Sequence, residues 1–303
     1  MMTEDVEDVV RRQSFEHEGA AELDVATGPG RIDVRLVDEP GVHVEVRLDP
    51  DGASPFAMGM SSLMSWINTQ FGQNFGQDEE APVSPTAEAV RQTRVDFSSG
   101  RLVVRTPKDM QLRNVAVSVS VQAPLGSHVM VKSGSGDLAV SGAAGRLEMT
   151  TGSGRVTADQ AAGNAKVDTG SGVVRLGPMA AGVRAKTGSG DVEVTSVGGV
   201  STVVTGSGDV WLGAVSSDVL ARTGSGNVTI ANAAAGQLEL HTGSGEIRVG
   251  VRAGSPAEID LSSGSGEARS DLDLASSPPE SAPSLRIRGR TGSGSALVTT
   301  AVE

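Results

Sequence analysis

The sequence predicts an all-β protein: a single-stranded, right-handed parallel β-helix (solenoid) with 18-residue coils and one α-helical insertion. Three observations carry this. Gly-Ser-Gly occurs nine times, starting at Gly134, Gly152, Gly170, Gly188, Gly206, Gly224, Gly243, Gly264 and Gly292, and the first six starts are 18 residues apart. A fixed period of this kind means one structural unit stacked on copies of itself. The segment after each motif alternates apolar and mixed residues, as a strand with one buried face does. Aromatics make up only 2% of the 303 residues and glycine numbers 40, which suits thin stacked coils better than a globular core built on aromatic rings.

Each coil can be read in order. Two residues past the motif's second glycine stand Leu138, Val156, Val174, Val192, Val210, Val228, Ile247, Ala268 and Ala296. Two further on stand Val140, Ala158, Leu176, Val194, Leu212, Ile230, Val249, Ser270 and Val298. A second strand precedes the motif, with pairs such as Leu147 and Met149 or Val219 and Ala221 pointing inward. A Thr or Ser sits just before each motif, on the inward side, and glycine makes the corner because it turns tightly at no steric cost. A looser third side is built from small residues such as Ala143-Ala144-Gly145. Parallel crossovers are overwhelmingly right-handed, which sets the expected hand. The period also makes Glu148 a neighbour of Lys166, Asp168 of Lys186 and Arg175 of Glu193, pairs worth about 0.2–1 kcal/mol each.

Degenerate copies extend the stack upstream. Thr27-Gly28-Pro29-Gly30 followed by Arg31-Ile32-Asp33-Val34 reads as the same corner and strand, and Ser99-Gly100 with Arg101–Val104 reads as another. Val115, Val117, Val119 and Val121 mark a coil without the motif. The expected organisation is a tail at 1–14, first coils at 15–50, an insertion at 51–90 and the main β-helix at 91–303. Some 12 coils at about 4.8 Å each would make a rod of roughly 55–60 Å.

Within the insertion, Phe56, Met60, Leu63, Met64, Ile67, Phe71 and Phe75 recur at three- and four-residue spacing, and Trp66 lies among them. This predicts an amphipathic helix at about 55–76. The acidic stretch 77–90 reads as a disordered linker. No Lys or Arg occurs from Leu48 to Val90, so a basic face for an anionic membrane is missing. The helix is expected to pack on the solenoid or cap its end; a protein partner or self-association through the same face is the alternative.

Bulk properties bound the function. A net charge of −12 argues against nucleic acid as a partner. The absence of cysteine excludes disulfides, a thiol nucleophile and Cys-ligated metal. No apolar run approaches the roughly 20 residues of a membrane span, and the acidic start lacks the apolar core of a secretory signal. The expectation is a cytoplasmic protein.

The repeated Thr-Gly-Ser-Gly-Asp-Val of Thr187–Val192 and Thr205–Val210 resembles the bacterial putative-adhesin family of β-strand-repeat proteins, a domain of unknown function. The resemblance covers 15–50 and 95–303. It implies a β-helix and no known enzyme activity, and the family name implies an adhesin-type or envelope-stress surface role. A looser similarity is to bactofilins, cytosolic β-helical proteins that polymerise end to end; they share the period but not the corners.

No constellation names a reaction. The nine motif serines lack a nucleophile-elbow frame, and repetition at nine corners suits structure. His17, His43, His128 and His241 are scattered, so no metal site or catalytic triad is expected. No catalytic residue, cofactor or small-molecule substrate is evident. Asp191, Asp209, Asn227, Glu246 and Glu267 occupy one column in five successive coils, and a bridging calcium ion would relieve their repulsion. The preferred reading is that they are solvated residues favoured beside tight turns. The expected function is a non-enzymatic scaffold or interaction protein working through the 55–76 face and the rod's ends.

Overall fold

The computed structural model describes residues 10–49, 85–272 and 283–301. Four strands precede the insertion: β1 (Arg11–Phe15), β2 (Glu22–Pro29), β3 (Ile32–Val37) and β4 (Val42–Leu48). Helix α1 (Pro85–Gln92) follows, then β5 (Arg94–Ser98), β6 (Arg101–Arg105) and β7 (Val117–Pro124). The repeat region opens with β8 (His128–Ser135), β9 (Leu138–Ala144), β10 (Leu147–Thr151), β11 (Val156–Ala161), β12 (Ala165–Thr169) and β13 (Val174–Met179). It continues with β14 (Val183–Thr187), β15 (Val192–Val197), β16 (Ser201–Thr205), β17 (Val210–Val215), β18 (Val219–Thr223) and β19 (Val228–Ala233). The last six are β20 (Gly236–Thr242), β21 (Ile247–Val251), β22 (Ala257–Ser263), β23 (Ala268–Ser270), β24 (Leu285–Thr291) and β25 (Ala296–Thr300).

The described strands form two long sheets, one of 13 and one of 12. Through the middle of the rod, successive strands alternate between the sheets and each pairs in parallel with its counterparts one coil away. Val156 pairs with Val174, Val174 with Val192, Val192 with Val210 and Val210 with Val228. The inward columns are buried: Val174, Val194, Leu212, Ile230, Leu240 and Ile247 are at most 1% exposed. The predicted cross-coil neighbours stand side by side. Lys166 Nζ lies 3.2 Å from Glu148 Oε1 and Arg175 Nε 3.3 Å from Glu193 Oε2, while Asp168 pairs back to Lys166 at 3.5 Å.

Both ends depart from chain order. At the first end, β2 lies between β6 and β8, and β3 between β7 and β9. The Gly28-Pro29-Gly30 corner stacks directly on Gly134-Ser135-Gly136, with the Gly30 N–H bonded to Ser135 O at 3.0 Å. The coils that seemed to separate them lie outside. Ser99-Gly100 is no solenoid corner: it is the two-residue turn of an antiparallel hairpin joining β5 and β6. Ser99 has φ 50° and Gly100 φ 75°, the two positive angles such a tight hairpin requires. The valine run around Val117–Val121 forms β7, which pairs in parallel with β3 and antiparallel with β4.

Two boundaries also move. Arg11–Phe15 is a strand, antiparallel to β4, so the first sheet begins inside the expected tail. Pro85–Gln92 is a helix, so the expected linker at 77–90 and the main β-helix start at 91 do not hold there. Proline suits a first helical turn, and Glu88 and Arg91 complement the helix dipole. Ala89 and Val90 are fully buried. Arg11 donates to Arg91 O at 3.1 Å and Thr93 O at 2.5 Å, capping the helix C-terminus.

At the other end, the last segment of the chain is not the last in the stack. β24 inserts between β20 and β22, and β25 between β21 and β23. The charges fit this order. Arg288 stands between Glu239 and Asp260, and Arg286 between Gln237 and Glu258, bonded to Glu258 at 2.9 Å. Chain order would have set Glu239 against Asp260, and like charges on adjacent strands repel.

Arg288→Glu would set three acids on adjacent strands and should therefore destabilise the C-terminal coils by about 0.5–2 kcal/mol, the sum of two new like-charge neighbours. Hydrogen exchange confined to 236–301 checks it, and adding Glu239→Arg with Asp260→Arg should restore protection.

Candidate functional site

The corners carry the motif. Thr205 is 3% exposed. Its Oγ1 accepts the Gly208 N–H at 3.0 Å and donates to Gly190 O, one coil back, at 3.1 Å. Thr223 repeats both bonds with Gly226 and Gly208 at 3.0 and 2.9 Å. Ser263 does the same with Gly266 and Gly294 at 2.8 and 2.7 Å. The threonine column thus points inward as expected. A Cβ at Gly208 would lie 2.0 Å from Gly190 O, so the second motif glycine is required by close stacking. The motif serines, Ser207 among them, are exposed.

The column after the motif is also occupied structurally. Asp191 Oδ1 accepts the Asp209 N–H at 2.9 Å, Asp209 Oδ1 the Asn227 N–H at 2.7 Å, and Asn227 Oδ1 the Glu246 N–H at 2.9 Å. Glu246 itself bonds Arg248 at 2.8 Å. The row does not run unbroken to Glu267: with β25 between β21 and β23, Ser295 intervenes, its carbonyl bonded to the Ile247 N–H at 2.9 Å. Among the described residues no cluster of three His, Asp or Glu is arranged to hold a metal ion.

The four histidines stand apart. His43 Nδ1 meets Ser14 Oγ at 2.9 Å, His128 Nδ1 accepts the Arg146 N–H at 3.1 Å, and His241 Nε2 meets Glu239 Oε1 at 2.9 Å. His17 packs edge-on against Phe97, with ring centroids 5.5 Å apart. The outer faces hold open, shallow depressions. One of about 430 Å³ is lined by Arg175, Gly177, Glu193 and Thr195, beside the half-exposed Trp211. Arg184 and Lys186 stand side by side with no ion-pair partner among the described residues.

The predicted interaction residues Phe56, Met60, Leu63, Met64, Trp66, Ile67, Phe71 and Phe75 lie outside the described residues. What the structure adds is a difference between the two ends, invisible in the repeat. At the first end the terminal strands β1 and β5 are antiparallel to their neighbours. Phe15 and Phe97 stack across the gap with centroids 5.0 Å apart, plugging the core. Asp24 ties the hairpin on, accepting from Arg105 at 2.6 Å and Arg101 at 3.1 Å. Burial pushes its carboxyl up, but the two guanidiniums outweigh that and hold it below the ordinary 3.8. At the other end β22 and β23 are the edge strands among the described residues, and Ala257, Ile259 and Leu261 are only half-buried.

Parallel strands in two long sheets, joined by repeated glycine corners, define a β-solenoid. The Toastrack DUF4097 family model matches residues 60–299, and the chain belongs to that family. This agrees with the resemblance read from the Thr-Gly-Ser-Gly-Asp-Val repeats. Similar solved structures include a putative adhesin from Bacteroides fragilis, 9% identical over 95% of this chain and 96% of that one, with a TM-score of 0.41. A putative lipid binding protein from Parabacteroides distasonis is 12% identical over 95% and 96%, with a TM-score of 0.46. A putative adhesin from the same organism is 10% identical over 95% and 96%, with a TM-score of 0.27. No curated protein matches the sequence.

Two predictions follow from the site geometry. Thr205→Val keeps the shape but strands the Gly190 carbonyl and the Gly208 N–H, and should cost about 2–4 kcal/mol in urea unfolding; Ser207→Ala should stay within about 0.5 kcal/mol of wild type. Asp24 has a lowered folded pKa, so its stabilisation is present above the unfolded value and is lost as pH falls through the folded one. The stability advantage of wild type over Asp24→Asn should therefore be full at neutral pH and shrink below about pH 4, as thermal melts across pH 2–7 would show.

Proposed function

We propose that this chain is a non-enzymatic cytoplasmic scaffold, a right-handed helix of 18-residue coils that presents its specific contacts at its ends and at the 55–76 segment. One observation carries the reading: the repeated chemistry is consumed within the rod. Threonine hydroxyls clip the corners, Asx side chains accept the next coil's N–H groups, and many outward charges pair with neighbours. The repeat thereby has little chemistry left to act as a recurring site.

The second reading is an adhesin-type or envelope-stress role at the cell surface, favoured by the family resemblance and by the names of the similar solved structures. Affinity capture from cells with the full chain and with residues 54–76 deleted tests the scaffold reading. The expected result is loss of specific partners on deletion; an identical partner set would make that segment structural. Cell fractionation separates the two readings, since recovery outside the cytoplasm would overturn the first.

A further inference from the structure

We propose that the outer face of the 12-stranded sheet carries a binding row for an extended acidic peptide, one that presents a carboxylate at every third residue. This surface lies on the rod's flank, so it adds to the contacts at the ends and at 55–76 without depending on them.

The row is a single column of outward side chains. Lys186 pairs in register with Val204, Val204 with Arg222, Arg222 with His241, and His241 with Arg290. The column holds no acid, in a chain whose net charge is −12. Lys186, Arg222 and Arg290 are exposed. Elsewhere on this face outward charges close on each other, as Lys166 does with Glu148 and Asp168. In the row they stay open. Asp168, the register neighbour of Lys186, is turned to Lys166. Neither Lys186 nor Arg290 has a side-chain hydrogen bond or ion pair among the described residues. Arg222 donates to Glu239 at 3.4 Å, a long bond that occupies one of a guanidinium's several N–H donors. Arg184 and Arg288 stand two residues before Lys186 and Arg290 on the same face, adding positive charge beside both ends of the row.

Spacing points to the ligand. Arg222 lies two strands from Lys186, and Arg290 two strands from Arg222. At about 4.8 Å per strand the three cations are evenly set about 9.6 Å apart. A polyproline II chain has three residues per turn and rises about 3.1 Å per residue, so it repeats a side chain on one side about every 9.3 Å. Acidic residues at every third position therefore meet all three cations, with a mismatch below about 1 Å over the whole row. A β-strand repeats its face at about 6.6–6.8 Å and is out of step by the second cation. Other polyanions fit less well. A bilayer would press on the whole flank, where Glu148, Asp168 and Glu239 also stand, and segments that bind anionic lipid carry denser Lys and Arg. Single-stranded nucleic acid stacks its bases on aromatic rings, and the row offers only the His241 ring, already held by Glu239 at 2.9 Å. Arginine clusters are a recurring means of reading acidic motifs.

Fluorescence anisotropy at low ionic strength tests the proposal. Labelled Glu-Pro-Pro-Glu-Pro-Pro-Glu is the matched peptide, and Glu-Glu-Glu-Pro-Pro-Pro-Pro, of the same composition, is the scramble. The expected result is saturable binding of the matched peptide about fivefold tighter than the scramble. Arg222→Gln removes the central cation and should bring the matched peptide down to the scramble's affinity, while Lys186→Gln or Arg290→Gln should weaken it about threefold. Arg175→Gln, the same charge change on the other sheet, should leave binding unchanged. All three row positions are exposed, so the thermal melts of their variants should match wild type. No binding of the matched peptide, equal binding of the two peptides, or an equal loss with Arg175→Gln would overturn the proposal. Tighter binding of phosphatidylserine vesicles, polygalacturonate or oligothymidylate than of the matched peptide would overturn it as well.

Discussion

The close stacking of glycine corners is the constraint on which the rest of the rod depends. At each corner a glycine lies so near the carbonyl of the coil beside it that no side chain fits; a Cβ at Gly190 would come within 1.9 Å of Gly172 O. The inward hydroxyl then bonds both across the corner and back to the neighbouring coil. One side chain therefore fixes the local turn and the register between coils together. Once the corners are in register, the other columns have little freedom: valines meet valines, Asx side chains meet the next N–H, and Glu148 meets Lys166. A one-residue slip would turn every inward residue outward, and nine corners oppose it.

This constraint also decides what could be read from the sequence. The middle of the rod was legible because each position there sees its counterpart one period away, so composition at that spacing is contact information. The ends were not legible by the same means. Ser99-Gly100 has the residues of a degenerate corner, and nothing local separates that from a hairpin turn except that an alternating strand also precedes it, Arg94–Ser98. The insertion of β24 between β20 and β22 was hidden because the motif spacing grows to 28 residues before the last copy, which reads equally as a long loop in either order. The arginines of Leu285–Arg290, with Glu239 on one side and Glu258 and Asp260 on the other, were the available signal. The Phe15–Phe97 stack joins residues 82 apart with no shared period. The Asp191–Glu267 row was readable only as far as the coil order held, and Ser295 breaks it for that reason.

The displaced ends change how stability is distributed. In a repeat rod each coil draws its stability from its neighbours, so a terminal coil with one neighbour frays first. Here the first and last repeat-like segments of the chain, β2–β3 and β24–β25, each have a paired strand on both sides. The segments left at the edges are instead β1 and β5 at one end and β22 and β23 at the other. Opening an edge therefore does not release the chain terminus beneath it, since that segment keeps its bonds to the next coil inward.

The two edges then meet different fates for a physical reason. Antiparallel reversal at the first end lets short strands and an aromatic pair cover the core from within the chain. The chain at the second end returns inward instead of folding over, and this sets Arg288 between Glu239 and Asp260 and pairs Arg286 with Glu258. That order leaves β22 as the outer strand among the described residues, its apolar residues half-covered. Regularity inside the rod and exposure at one end are thus consequences of the same arrangement. A coil that matches its neighbours on both faces has its ladder bonds made within the rod, whereas no described strand pairs with the outer edge of β22.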